Sequence, residues 1–126
     1  MLLNNLYTLS SFGFSVAKDN ISARILLNNE HPVFKGHFPG NPILPGVCTV
    51  QIIRELLEKA MEKELMLIKA SNIKYLGFIN PTTIPEIQFD LIIKNTETGS
   101  VGCNATVSAA GNALCSFKGE FNYLTI

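Results

Sequence analysis

The sequence predicts an α+β domain on three observations. One stretch has helical periodicity, several others alternate in the strand manner, and a proline- and glycine-rich segment separates the first strands from the helix. Strand character begins at Phe12–Val16 and returns at Ile21–Leu27, where Ile21, Ala23, Ile25 and Leu27 share one face. Residues 31–46 follow, with four prolines and three glycines, a composition that suits neither a helix nor a central strand. A loop this long in so short a chain tends to carry function.

The helix is expected from Pro45-Gly46 to about Glu64. Val50, Ile53, Leu57, Ala60 and Met61 recur at helical spacing, with Arg54, Glu55, Glu58 and Glu62 on the other side. After it, Leu67–Phe78 reads as one or two strands ended by Asn80-Pro81. Glu86–Lys94 places Ile87, Phe89, Leu91 and Ile93 on one face. Val101–Ala109 and Ala113–Tyr123 are joined by Ala110-Gly111-Asn112, a hairpin signal.

Composition narrows the function classes. At 126 residues the chain is expected to be a single domain, residues 1–126. Ten basic residues balance ten acidic ones and no Lys/Arg cluster occurs, which argues against nucleic acid or an anionic membrane as partner. Only 16% of residues are charged against 47% hydrophobic, so apolar surface is left over for self-association. Cys48, Cys103 and Cys115 are odd in number and widely spaced, which suits reduced, buried thiols in the cytoplasm better than disulfides or a zinc site. The mildly apolar start has no basic residue before Lys18 and is interrupted by Asn4 and Asn5, unlike a signal peptide. No apolar run reaches membrane-spanning length.

The segment Gly36-His37-Phe38-Pro39-Gly40-Asn41-Pro42-Ile43-Leu44-Pro45-Gly46-Val47 resembles the signature of the bacterial beta-hydroxyacyl-acyl-carrier-protein dehydratases, GHFPG-x-P-x-x-PGV. Nine positions match at fixed offsets. The resemblance continues through Asn72–Pro81 and the strand at Glu86–Leu91, covering the chain from about residue 21 onward. The chain is also similar to the shorter relatives of aryl-polyene-type pathways. The resemblance implies a hot-dog fold, one long central helix wrapped by a bent antiparallel sheet. It also implies a homodimer or higher homo-oligomer with shared active sites, acyl carrier protein as the partner carrying the substrate, and no metal or other cofactor.

The implied reaction removes an α proton from a 3-hydroxyacyl thioester, protonates the departing hydroxyl and stabilises charge on the thioester oxygen. The family's catalytic histidine falls on His37, and imidazole titrates near working pH. His31, six positions earlier, reads as a structural residue. Gly46, at the helix start, offers a backbone N–H without an intrahelical acceptor at the positive end of the helix dipole, the family's means of binding the thioester. Val47 beside it and Phe38 in the loop are the further substrate contacts. Phe34 and Phe78 line an acyl tunnel on one reading and the core on the other.

One position departs from the pattern. The family carries Glu or Asp fourteen residues after the histidine, and here that residue is Gln51. An amide donates and accepts hydrogen bonds but delivers no proton as a general acid. Gln51 either orients the hydroxyl or a water, or is a plain polar residue of the helix face. Glu55, one turn on, offers a carboxyl group displaced about 6 Å along the axis. Read simply, it is a solvated helix charge. The functions implied are therefore dehydration of 3-hydroxyacyl chains on acyl carrier protein, with two alternatives: a hot-dog protein that binds acyl chains or partners a catalytic subunit, and a thioesterase.

Overall fold

The computed structural model describes residues 1–15, 17, 19–35, 42–96 and 98–124. Six strands, β1 (Tyr7–Phe14), β2 (Asn20–Leu27), β3 (Leu65–Tyr75), β4 (Glu86–Asn95), β5 (Val101–Ala109) and β6 (Asn112–Tyr123), form one antiparallel sheet in the order β1-β2-β4-β5-β6-β3. The α-helix α1 runs Gly46–Met61 between β2 and β3, so the α+β expectation holds. From it the chain crosses to the far edge as β3, then returns to lay β4 beside β2.

Alternation explains which face is covered. Ile25 pairs with Ile87, Ala23 with Phe89 and Ile21 with Leu91 across β2 and β4. Leu91 then faces Ala105, and Ala105 faces Phe117, in unbroken apolar rows. These residues are buried and share one core with Ile52, Ile53, Leu56 and Leu57 of α1. Each large apolar side chain buried this way stabilises the fold by about 1.5–3 kcal/mol.

Several bounds differ from expectation, among them β3, which runs Leu65–Tyr75 rather than Leu67–Phe78. β1 begins at Tyr7, well before Phe12, because Tyr7 and Leu9 pair with Leu27 and Ile25. The helix stops at Met61, and Glu62 takes a left-handed conformation at φ 54°. Glu58 then accepts the Leu65 N–H at 2.8 Å, tying the end of α1 to the start of β3. Inside the proline-rich segment, Pro32–Phe34 forms one 3-10 turn, a short helical piece in a stretch expected to hold none. His31 caps it, its Nδ1 accepting the Val33 N–H at 3.0 Å, and so is the structural residue expected.

The expected hairpin joins β5 and β6 through Ala110 and Gly111, with φ of 50° and 80°. Two successive positive φ values match a turn whose twist follows that of the strands. Past the turn, Val107 pairs with Cys115 but Ser108 with Ala113, leaving Leu114 as an extra residue. This bulge leaves the successive residues Leu114 and Cys115 both buried. β3 carries two comparable irregularities, at Leu67/Lys69 and Ala70/Asn72, on the sheet's outer edge. Most of β3 is exposed, including Met66, Leu67, Ile68 and Tyr75.

Candidate active site

The helix N-terminus opens at an apolar cavity of about 280 Å³, lined in part by Leu44, Gly46, Tyr75, Phe78, Leu114 and Cys115. Local structure explains each wall. Leu44 is held by its N–H to the Ile79 carbonyl at 2.8 Å. The bulge turns Leu114 into the cavity, and its carbonyl accepts the N–H groups of Leu76 and Gly77. A larger hollow of about 710 Å³ lies away from the helix, by Arg24, Glu86 and Gln88 on the exposed side of the sheet. Those three side chains are engaged with one another by a hydrogen bond and an ion pair, and the hollow lacks the apolar lining an acyl chain needs.

Pro45 precedes the helix in extended conformation, and its carbonyl accepts from Cys48 at 3.0 Å and Thr49 at 3.4 Å. The N–H groups of Gly46 and Val47 fall in the turn where no intrahelical acceptor exists, and the helix dipole adds positive charge there. The end of the Tyr75 ring packs so closely on Gly46 that a Cβ at that position would lie 2.5 Å from Cζ and from the hydroxyl oxygen. Burial, and then the neighbouring Cys115 thiol, push the Tyr75 hydroxyl above its ordinary pKa.

Of the residues singled out from sequence, His37 and Phe38 lie outside the described residues. Gly46 lines the apolar cavity. Val47 is 76% exposed and Gln51, one turn on, is half-buried. Gln51 borders a different, open hollow of about 640 Å³ between α1 and the start of the chain, beside Leu3, Arg54 and Glu58. Gly46 and Gln51 therefore face separate spaces within one chain. Phe34 belongs to the core, whereas Phe78 is 77% exposed at the cavity rim.

Glu55 corrects an expectation. It is not a solvated helix charge but is buried, at 5% exposure. Its Oε1 accepts from the N–H groups of Leu2 and Leu3 at 3.1 and 3.0 Å and from the Tyr7 hydroxyl at 3.1 Å. Its Oε2 accepts from Leu2 N at 2.9 Å and from Gln51 Nε2 at 2.8 Å. Burial, followed by the charge and hydrogen bond of Glu55, raises the Tyr7 pKa. Sequence reasoning also passed over Thr49 and Tyr75. Thr49 sits one turn before Ile53 on the buried face and was open to inference, whereas nothing local marked Tyr75.

The thiols are as expected. Cys103 and Cys115 are buried, Cys48 partly so, and burial raises all three pKa values, that of Cys103 to about 12. Among the described residues no cluster of His, Cys, Asp and Glu could hold a metal ion, and no helix is long and apolar enough to cross a membrane.

Comparison with known proteins places this geometry. The chain is similar to the 3-hydroxyacyl-acyl-carrier-protein dehydratase FabZ of Lactiplantibacillus plantarum, 27% identical over 81 residues, 59% of this chain and 55% of that protein. The FabZ of Xanthomonas campestris pv. campestris is 26% identical over 113 residues, 79% and 73% of the two chains. The match thus spans little more than half the length of the first of these relatives. Among solved structures, the dehydratase heterocomplex ApeI:P from Xenorhabdus doucetiae superposes with a TM-score of 0.72 at 13% identity, covering 90% of this chain and 95% of that one. A thioesterase from Haemophilus influenzae gives 0.65 at 13% identity, covering 97% and 81%. These likenesses establish the hot-dog fold. A family model described as ApeI-like, the ApeI dehydratase, matches residues 14–118, and the chain belongs to that dehydratase family.

Proposed function

We propose that this protein dehydrates 3-hydroxyacyl thioesters carried on acyl carrier protein to trans-2-enoyl thioesters, as a single hot-dog domain. The observation that carries this is the helix N-terminus: the Gly46 N–H, beside an apolar cavity of about 280 Å³, is a place for a thioester carbonyl with its acyl chain alongside. His37 takes the α proton and becomes imidazolium, while the Gly46 N–H holds the negative charge that grows on the thioester oxygen. The Cα–Cβ double bond forms as the C–O bond breaks, and the imidazolium returns the proton to the departing hydroxyl, giving water. Gln51 orients that hydroxyl, and Val47 and Phe38 contact the substrate.

A second copy completes the site in this proposal. Val47 stands uncovered and Gln51 half-buried on one helix face, and β3 offers an unpaired edge with exposed Met66, Leu67 and Ile68. A homodimer joined along β3 covers both and shares its active sites between the two copies. Sedimentation at micromolar concentration should give a dimer, and a strict monomer overturns this part.

The activity test is hydration of crotonyl and longer enoyl thioesters, on acyl carrier protein and on coenzyme A. Loss of the enoyl absorbance without release of free thiol supports the dehydratase, and thiol release supports a thioesterase. A second reading, a partner or acyl-binding subunit, is favoured by Gln51 standing where the family has a carboxylic acid. Inertness alone with activity only beside a second hot-dog chain supports it.

A further inference from the structure

We propose that Glu55 is the positioning residue for Gln51. It fixes the amide with nitrogen inward and oxygen outward, so that Gln51 meets the substrate as a hydrogen-bond acceptor. The proposal rests on the dehydratase activity proposed above and specifies how the amide serves it.

The orientation follows from the chemistry of the partners. Four donor groups converge on the Glu55 carboxyl group: the N–H of Leu2, the N–H of Leu3, the Tyr7 hydroxyl and Gln51 Nε2. A carboxylate has about four lone-pair sites, all of them acceptors. The 2.8 Å contact therefore selects the amide nitrogen of Gln51, since an amide oxygen there would oppose a carboxylate oxygen. The Gln51 oxygen is left for a different partner. A substrate hydroxyl donating to it keeps its own lone pairs free to take the proton from His37. The amide thus substitutes for the acceptor role of the family's carboxyl group and leaves proton delivery to the histidine. The same contacts exclude Glu55 as a replacement acid, because both of its oxygens are occupied by protein donors.

Two consequences separate positioning from a merely structural role. In Glu55→Gln the single carbonyl is claimed by Leu2 and Leu3, so the new amide nitrogen lies beside Gln51 and turns the Gln51 oxygen inward. The outward group then donates, so discrimination in favour of a 3-hydroxyl over a 3-oxo group, which can only accept, should vanish. The effect should also pass entirely through Gln51, so that Glu55→Gln adds nothing once Gln51 is alanine.

The experiment measures binding of a 3-hydroxyacyl pantetheine amide and its 3-oxo counterpart, which cannot donate, by calorimetry, beside turnover of the enoyl thioester. Wild type should prefer the hydroxylated probe by roughly tenfold, the worth of one hydrogen bond. Gln51→Ala, Glu55→Gln and the double variant should all lose that preference to the same extent. Preference retained in folded Glu55→Gln, or lost again on top of Gln51→Ala, overturns the proposal. If Glu55→Gln does not fold, the side-chain amide signal of Gln51 in wild type decides by nuclear magnetic resonance. Amide protons slowed in exchange support the proposal, and those of a freely exchanging glutamine overturn it. Wild type that prefers the hydroxyl but turns nothing over defeats the dehydratase proposal and keeps this one. Turnover without hydroxyl preference does the reverse.

Discussion

The Tyr7 hydroxyl donates to Glu55 Oε1 across 3.1 Å, joining the start of β1 to a carboxylate in the middle of the helix. Tyr7 is 1% exposed and Glu55 5%, so little solvent screens the contact. Removing the carboxylate strands the Tyr7 hydroxyl and the N–H groups of Leu2 and Leu3 at once, and a buried donor without a partner costs about 1–3 kcal/mol. Glu55→Ala is therefore expected to destabilise the fold by about 2–4 kcal/mol, and Tyr7→Phe by about 1 kcal/mol. Urea unfolding checks both. A Glu55→Ala effect as small as that of an ordinary surface helix glutamate contradicts the burial of this network.

Two glycines should respond oppositely to alanine. A Cβ on Gly119 would lie 2.6 Å from the Lys69 carbonyl oxygen and 2.6 Å from Phe117 Cζ, and that oxygen belongs to the backbone of the paired strand. Gly119→Ala should push β3 from β6 and cost about 1–3 kcal/mol, as overpacking does. At Gly46 the obstruction is the far end of the Tyr75 side chain, 55% exposed and free to swing away. Gly46→Ala should change stability by less than about 1 kcal/mol while impairing activity, since the new methyl group stands at the N–H proposed for the thioester. Thermal melting of the two variants checks the contrast.

Much of this fold was legible because its signals are local. β2 and β4 alternate strictly, and each presents one buried face to the same core, so Ile21–Leu27 and Glu86–Lys94 were readable from the pattern. The turn at Ala110-Gly111 was readable from its residue types. β3 alternates poorly because nearly all of it is exposed at an edge, and its two bulges break the period. Within the site, the helix start at Pro45-Gly46 was readable. Burial of Glu55 was not, since its partners Leu2 and Leu3 lie 53 and 52 positions away and its neighbours Arg54 and Glu58 read as a solvated face. The extra residue at Leu114, which shapes the cavity, depends on strand register rather than on composition.

Alkaline pH should weaken the fold through Cys103. Burial raises its folded-state pKa from 9.0 to about 12, so the folded chain keeps a proton that the unfolded chain gives up. Stability from this group is complete below about pH 9 and is lost as pH rises toward about 12, at roughly 1.4 kcal/mol per pH unit within that window. Cys48 and Cys115 are raised by burial in the same direction. Urea midpoints between pH 8 and pH 10 should fall for wild type and fall less for Cys103→Ala. A flat profile rejects the burial of this thiol.

His37 and His31 offer a paired test of the proposed base. His37→Ala should lower turnover by about 10²- to 10⁴-fold, the usual contribution of a well-placed general base. His31 caps a single 3-10 turn through the Val33 N–H, so His31→Ala should cost on the order of 1 kcal/mol in stability and leave turnover nearly unchanged. Steady-state hydration kinetics with a matched melting curve separate the two. Equal losses of turnover would mean that loop structure, not a base, had been removed.

Gln51→Glu asks whether the family's acid can be restored on this helix. The new carboxyl group would take the place of an amide that donates to Glu55 Oε2 at 2.8 Å. Two carboxylates that close repel each other, so the pair should retain one proton between them well above the ordinary carboxylate range. The introduced group thus carries a proton at neutral pH, as a general acid requires. Two effects should follow together. Turnover should rise, because the hydroxyl leaves with help from an acid as well as from His37. Stability should be greatest below the ordinary glutamate pKa of about 4.3 and decline as pH rises through the raised value, the opposite of a paired carboxylate. The rate gain should disappear over that same rise in pH as the shared proton is lost. In the double variant Gln51→Glu with Glu55→Gln, the proton is no longer shared and the gain should shrink at neutral pH. A Gln51→Glu protein that folds, shows this decline in stability and yet gains no rate would place the acid out of reach of the substrate hydroxyl, and would favour the partner-subunit reading.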